Sequence, residues 1–254
     1  MQQEEIIEGY YGVGAERKKS GMYAKLDFLQ SATGLILALF MIAHMFLVSS
    51  ILISDKAMLA VTKFFEGSLF IKAGEPAIVS AVAAAVIIIL VAHAFLALRK
   101  FPINYRQYKI FQTHKYLMKH GDTSLWMVQV GTGFAMFFLA SVHLFVMLTA
   151  PHSIGPHTSS YRFVSQHFWL LYIFLLIAVE LHGSIGLYRL AIKWGWFKDL
   201  GIDQLRKIKW GMSVFFIVLG LLTYGSYVKH GIMQKGEIAS MQQAVQADEQ
   251  LHKD

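Results

Sequence analysis

Residues 76–98 read PAIVSAVAAAVIIILVAHAFLAL, an apolar run with no Asp, Glu, Lys or Arg and a single histidine, His93. About 20 apolar residues in helical form cross ~30 Å of hydrocarbon, and in that medium a helix satisfies its backbone donors and acceptors within its own segment. The run therefore reads as a membrane-spanning helix. Four further stretches meet the same test, residues 28–53, 125–148, 168–193 and 210–228. The segment 61–71 is too short and carries Lys63 and Glu66, so it reads as a loop outside the membrane with room for an interfacial helix. All four prolines (Pro76, Pro102, Pro151, Pro156) fall at span ends or in loops, so no helix is broken at mid-membrane. The expected fold is all-α: one domain over residues 1–254, a transmembrane bundle of five helices.

Composition agrees. Of 254 residues 56% are hydrophobic and 15% charged, which excludes disorder and most soluble classes. There is no cysteine, hence no disulfide, thiolate iron–sulfur cluster, zinc ribbon or covalently attached haem. Any metal must be held by His, Met or carboxylate. The net charge of +7 would suit nucleic acid, but in a membrane protein the location of basic residues reports topology. One side of the bundle carries Arg17, Lys18, Lys19, Lys25, Arg99, Lys100, Arg106, Lys109, Lys115, Lys119, Arg189, Lys193, Lys198, Arg206, Lys207 and Lys209, sixteen of the 23 Lys and Arg. The richer side is cytoplasmic by the positive-inside rule. The N-terminus is then inside and the C-terminus in the periplasm, and the nucleic-acid reading falls. Residues 1–24, acidic then basic without an apolar run, do not read as a cleaved signal, so the first span is retained.

Of the eleven histidines, His114, His120, His152, His157, His167, His230 and His252 fall in loops or near span ends. The other four, His44, His93, His143 and His182, lie one on each of the first four spans. At 1.5 Å per residue, His44 and His143 lie ~24 and ~27 Å from the inner ends of their helices, near the outer face. The second and fourth spans run the other way and put His93 and His182 ~26 and ~21 Å from their outer ends, near the inner face. Two pairs result, His44 with His143 and His93 with His182, at levels roughly 15–20 Å apart. Facing imidazoles are what a six-coordinate b-type haem needs above and below its iron. Two such haems stacked across a membrane transfer electrons, whereas oxygen chemistry needs an open axial position.

Small residues flank these positions: Ala92 and Ala94 around His93, Gly183 and Gly186 after His182, Gly133 and Ala135 below His143, and Gly34 and Ala43 on the helix of His44. They would admit a porphyrin, although small residues also let membrane helices pack closely. Glu180, two residues before His182, is the one acidic residue within a span and is costly there, which points to a proton relay or a buried pair. Glu66 lies in the outer loop, where it could accept a proton from a quinol or simply be solvated. Gln30, Ser31, Trp126 and Lys193 ring the inner level and Arg162 the outer, as haem propionates require and as ordinary interfacial anchors also would.

These stretches, with KLDFLQSATG, MIAHMFLVS, VAHAFLALRKFPINYRQY, THKYLMKHGDTSLW, TGFAMFF, SVHLFVM and VELHGSIGLYRLAIKWGWF, closely resemble the cytochrome b subunit of the diheme quinol:fumarate reductases, a five-helix membrane anchor. The resemblance covers nearly the whole chain and is weakest in the last 25 residues. It implies an inner haem on His93 and His182, an outer haem on His44 and His143, and inner propionate contacts from Gln30, Ser31, Trp126 and Lys193. It also implies an outer contact from Arg162, menaquinol oxidation near Glu66 and transmembrane proton transfer through Glu180. The implied partners are an iron–sulfur subunit and an FAD-containing flavoprotein that reduces fumarate, docked on the cytoplasmic face of the inner membrane. Without a dinucleotide glycine motif or a cysteine, this chain cannot carry out the fumarate chemistry itself.

Alternatives remain open at this level. A succinate dehydrogenase anchor would run the same wire backwards, and the residues fix neither direction nor whether heterotrimers pair into dimers. A hydrogenase or formate dehydrogenase cytochrome b shares the paired histidines but not the long match. A retinal protein needs a lysine inside a span, and a transporter more naturally shows broken helices or repeats.

Overall fold

The computed structural model describes residues 21–101, 104–118 and 121–251. Arg17, Lys18, Lys19, Pro102, Lys119, His120 and His252 lie outside the described residues, as do the side chains of His114 and Lys115. Within those residues the chain forms eight α-helices: α1 Met22–Val48, α2 Asp55–Phe65, α3 Pro76–Leu98, α4 Tyr105–Met118, α5 Gly121–Thr149, α6 Pro156–Ser165, α7 Phe168–Trp194 and α8 Gly201–Leu251. Three short 3-10 turns join them, of which Ser49–Leu52 prolongs α1. No strand occurs among the described residues. Five helices, α1, α3, α5, α7 and α8, are long and apolar enough to cross a membrane.

Local chemistry sets the ends. Pro76 opens α3, where its missing N–H costs nothing, and the Glu75 carboxylate accepts from the Ala77 N–H at 3.3 Å. The Ser54 hydroxyl accepts from the Ala57 N–H at 3.1 Å and starts α2, with Asp55 in its first turn. Gly195, in the left-handed region at φ 68°, ends α7, and the following Trp196 N–H bonds back to the Ala191 carbonyl at 2.8 Å.

The spans form a closed ring: α1 packs on α3, α3 on α5, α5 on α7, and α7 returns to α1. The four intramembrane histidines sit one on each member of that ring. Outside it, α8 leans on α7 and, beyond the membrane level, on the short α6. Large apolar side chains such as Ile88, Phe95, Phe134 and Phe145 stay exposed on the spans, which in a bilayer means contact with lipid. Lipid tails are as apolar as these side chains, so the bundle is held largely by close packing and internal polar contacts. Ser49 meets Thr223 at 2.8 Å between α1 and α8, and Ser213 donates to Ser184 at 2.6 Å between α8 and α7.

At the outer end Ile51, Met58, Phe163 and Tyr227 form a buried cluster flanked by Tyr172, Tyr224 and Val228. Phe163 stacks on Tyr172 and on Tyr227 with ring centres 5.2 and 5.6 Å apart. At the inner end Asp27 on α1 accepts from Arg99 at 2.6 Å and meets Lys100 at 3.1 Å, while Asp122 on α5 pairs with Arg206 on α8 at 3.1 Å.

The five expected spans are therefore present, with longer ends. Helix α1 begins at Met22, α5 at Gly121, and α8 runs over residues 201–251 where hydropathy marks only 210–228. Apolar content marks the lipid-covered part of a helix, whereas polar flanks stay helical in water when their propensity is good. The outer segment holds a true helix, α2, ending just before Glu66.

Candidate functional site

The ring brings the histidines together in the expected pairs. His44 on α1 and His143 on α5 have ring centres 6.1 Å apart, and His93 on α3 and His182 on α7 lie 6.4 Å apart. A ligating imidazole nitrogen sits about 2 Å from its metal, so two imidazoles facing each other across one iron have ring centres about 6 Å apart. The interplanar angles are 57° and 85°. A twist about the ligand axis leaves the nitrogen positions unchanged.

Which nitrogen faces the gap follows from what the other one does. The His182 Nδ1 lies 2.8 Å from the Gln129 carbonyl, so Nδ1 carries the proton and donates, and Nε2 keeps its lone pair. The His93 Nδ1 lies 3.1 Å from the Thr33 hydroxyl, whose own proton goes to the Leu29 carbonyl at 2.8 Å, with the Gln30 carbonyl at 3.1 Å. There too Nδ1 donates. The His143 Nδ1 meets the Tyr172 hydroxyl at 3.2 Å, and His44 stacks on Phe40 with ring centres 5.7 Å apart. An outward Nδ1–H bond that leaves Nε2 free is the second-layer arrangement that orients a metal-ligating histidine.

Two glycines make room for the inner rings. A Cβ built on Gly34 would stand 2.8 Å from His93 Cε1, and one on Gly133 would stand 2.7 Å from His182 Cε1. The sequence places these glycines on the helices of the outer pair, His44 and His143. The structure puts both against the inner pair.

The inner rim fits an anionic group. Lys193 Nζ donates to the Ser31 hydroxyl at 3.1 Å and to the Asp27 carbonyl at 3.3 Å, and lies 3.7 Å from the Asp27 carboxylate. Two buried polar atoms there lack a hydrogen-bond partner, Gln30 Oε1 and Arg99 Nε. Since amide O and N are exchangeable by a flip, Gln30 can present a donor. Propionates arriving at this rim would find a surplus of cations and unused hydrogen-bonding capacity. Trp126 stands at the inner end of α5, edge-on to Phe111 of α4 at 4.8 Å.

At the outer level Arg162 is buried on α6 and donates to both the carbonyl, at 2.8 Å, and the hydroxyl of Ser153. It also lines a cleft of about 600 Å³ with Ser153, His157, Tyr161 and Gln234. Glu66 is buried, not solvated: only 3% of it is exposed, and Lys63 holds its carboxylate at 2.6 Å. Gly74, at φ 72°, folds the loop over it, and the Glu75 N–H bonds to the Glu66 carbonyl at 2.7 Å. Glu180 is buried on α7, with the Ser184–Ser213 contact one turn further inward.

Thr33, Gln129 and Tyr172 escape a reading of single helices: a helical threonine ordinarily bonds its own backbone, Gln129 acts through a main-chain carbonyl, and Tyr172 meets His143 only across helices. Taken together, the arrangement can hold two six-coordinate haems at two depths, with a cationic inner rim, a paired carboxylate on the outer loop and a buried carboxylate in the span between.

Comparison with known proteins gives the chain its family. The family described as succinate dehydrogenase/fumarate reductase transmembrane subunit matches residues 105–223. The chain is 79% identical over 255 aligned positions to the fumarate reductase cytochrome b subunit of Helicobacter pylori strain J99, with all of both chains covered. It is 61% identical over 238 positions to the protein of the same description from Wolinella succinogenes, covering 92% of this chain and 93% of that one.

Proposed function

This chain belongs to the family of fumarate reductase cytochrome b subunits, and from that premise we propose that it carries two haems and conducts electrons inward from menaquinol. It is a multi-pass membrane subunit of an oxidoreductase complex whose fumarate chemistry resides on other subunits. The observation that carries the proposal is the pair of facing imidazole pairs, 6.1 and 6.4 Å between ring centres, at the two ends of one helical ring.

When bound, the two b haems supply one-electron carriers between an outer quinol site and an inner iron–sulfur partner. The chain's own residues do the rest. His44 and His143 would hold the outer group and His93 and His182 the inner one, with His93, His143 and His182 offering Nε2 because their Nδ1 atoms are engaged. Gln30, Ser31, Trp126 and Lys193 bind the inner propionates, and Arg162 faces the outer ones. Glu66 accepts a quinol proton at the outer edge, which requires its carboxylate to exchange Lys63 for the substrate hydroxyl. Electrons moving inward while protons leave outside would charge the membrane. Glu180, buried inside a span, carries protons inward and cancels that charge. The richer Lys/Arg side faces the cytoplasm and receives the iron–sulfur subunit, to which an FAD flavoprotein is attached, in the inner membrane.

The test is a pyridine haemochrome assay with protein quantitation on the purified complex, followed by redox titration of the haem band. Two b haems per chain titrating as two components are expected, and none would sink the reading. Glu180→Gln tests the proton step separately. Menaquinol-driven fumarate reduction should fall by at least about tenfold, while haem content and dye-driven fumarate reduction stay intact. Unchanged quinol turnover would remove Glu180 from the path.

A further inference from the structure

The segments 30–44, QSATGLILALFMIAH, and 129–143, QVGTGFAMFFLASVH, have the same length and agree at Gln30/Gln129, Thr33/Thr132, Gly34/Gly133 and His44/His143. The agreement extends to geometry. Thr33 donates to the carbonyls four and three residues back at 2.8 and 3.1 Å, and Thr132 does the same at 2.7 and 3.1 Å. In both cases the nearer glycine lies under an inner imidazole, Gly34 under His93 and Gly133 under His182. In both cases that histidine belongs to the next spanning helix of the same hairpin, α1 with α3 and α5 with α7. The ring is thus two copies of one unit: a hairpin whose first helix carries a Gln-x-x-Thr-Gly hook and an outer histidine, and whose second carries an inner histidine gripped by the hook. Each haem pair takes one histidine from each copy.

We propose that Thr33 and Thr132 are equivalent positioning residues that set the electron-donating strength of the inner histidines, an inference that rests on the diheme reading above. In α5 the Gln129 carbonyl accepts from two donors, His182 Nδ1–H at 2.8 Å and the Thr132 hydroxyl at 3.1 Å. In α1 the Gln30 carbonyl takes the Thr33 hydroxyl at 3.1 Å, and that hydroxyl oxygen is itself the 3.1 Å acceptor for His93 Nδ1–H. The hydroxyl therefore shares the glutamine carbonyl with the imidazole in α5 and bridges the two in α1, and in both it weakens the pull of the carbonyl on the Nδ1 proton. Without it the carbonyl acts on that proton alone. A stronger acceptor gives the ring more imidazolate character, favours ferric over ferrous iron and lowers the potential.

The experiment is redox titration of the haem band in the intact complex carrying Thr33→Val, Thr132→Val or both, with haem per chain measured alongside. The inner component should move to a more negative potential in each single variant and further in the double, with the outer component unmoved. Thr33→Ser and Thr132→Ser, which restore the hydroxyl, should restore the wild-type value. An unmoved inner component, a positive shift, or an equal shift of both components would overturn the proposal. If Thr33→Val loses haem, retention in Thr33→Ser supports the hydroxyl as the anchor, and loss in both overturns it. A wild-type complex with fewer than two haems sinks the diheme reading, whereas two haems with unshifted variants sinks only this inference.

Discussion

At the scale of single residues, the inner haem level depends on two missing side chains as much as on two present ones. A methyl group at Gly34 or Gly133 would overlap an imidazole carbon, so the ring must turn away from its ligating position. Gly34→Ala and Gly133→Ala should each leave one haem per chain by pyridine haemochrome, with the outer component still titrating. Tyr172→Phe makes the reciprocal prediction: it removes the hydroxyl at His143 Nδ1, so the outer component should shift and the inner one should not. The four histidines were legible in the sequence because an imidazole in lipid is expensive and its depth follows from counting at a fixed rise. The partners of their Nδ1 atoms were not legible one helix at a time. Thr33 bonds its own backbone as any helical threonine does, and only the recurrence of Gln, Thr, Gly and His at one constant separation marks it as part of a site. The burial of Glu66 was not legible for a related reason. It is made by Gly74 closing the loop and by Lys63 one turn back, and neither leaves a periodic signal.

At the scale of elements, the five spans were legible because lipid imposes both their length and their apolar character. The surface helices α2 and α6 were harder to see. They are held by a Ser54 cap, a proline in the first turn and the aromatic cluster beneath them, not by hydropathy. Helix α8 fastens to α6 through Gly231, whose hydrogen side faces the Ser160 carbonyl and Val164. A methyl there cannot avoid the backbone oxygen, so Gly231→Ala should separate the two helices at a cost of about 1–3 kcal/mol. The measurement is a thermal or denaturant midpoint of the detergent-solubilised complex. Glycine at a packed crossing shows in the sequence only as a weak spot in a helix, which is why α8 and α6 could not be paired beforehand.

At the scale of the whole molecule, orientation is the property read most directly from charge, and the absence of cysteine makes it simple to test. Lys72→Cys and Lys198→Cys introduce lone thiols in loops at opposite ends of the bundle. In intact cells stripped of the outer membrane, a membrane-impermeant maleimide should label the first at once and the second only after permeabilisation. The reverse pattern would invert the topology. Helix α8 carries a consequence of another kind. Its 51 residues make a rod of about 75 Å at 1.5 Å per residue, more than twice the thickness of the oily layer it crosses. The surplus stands as a mast on the face away from the inner histidines, a natural handle on which a fluorophore or affinity tag would clear the lipid without touching the wire.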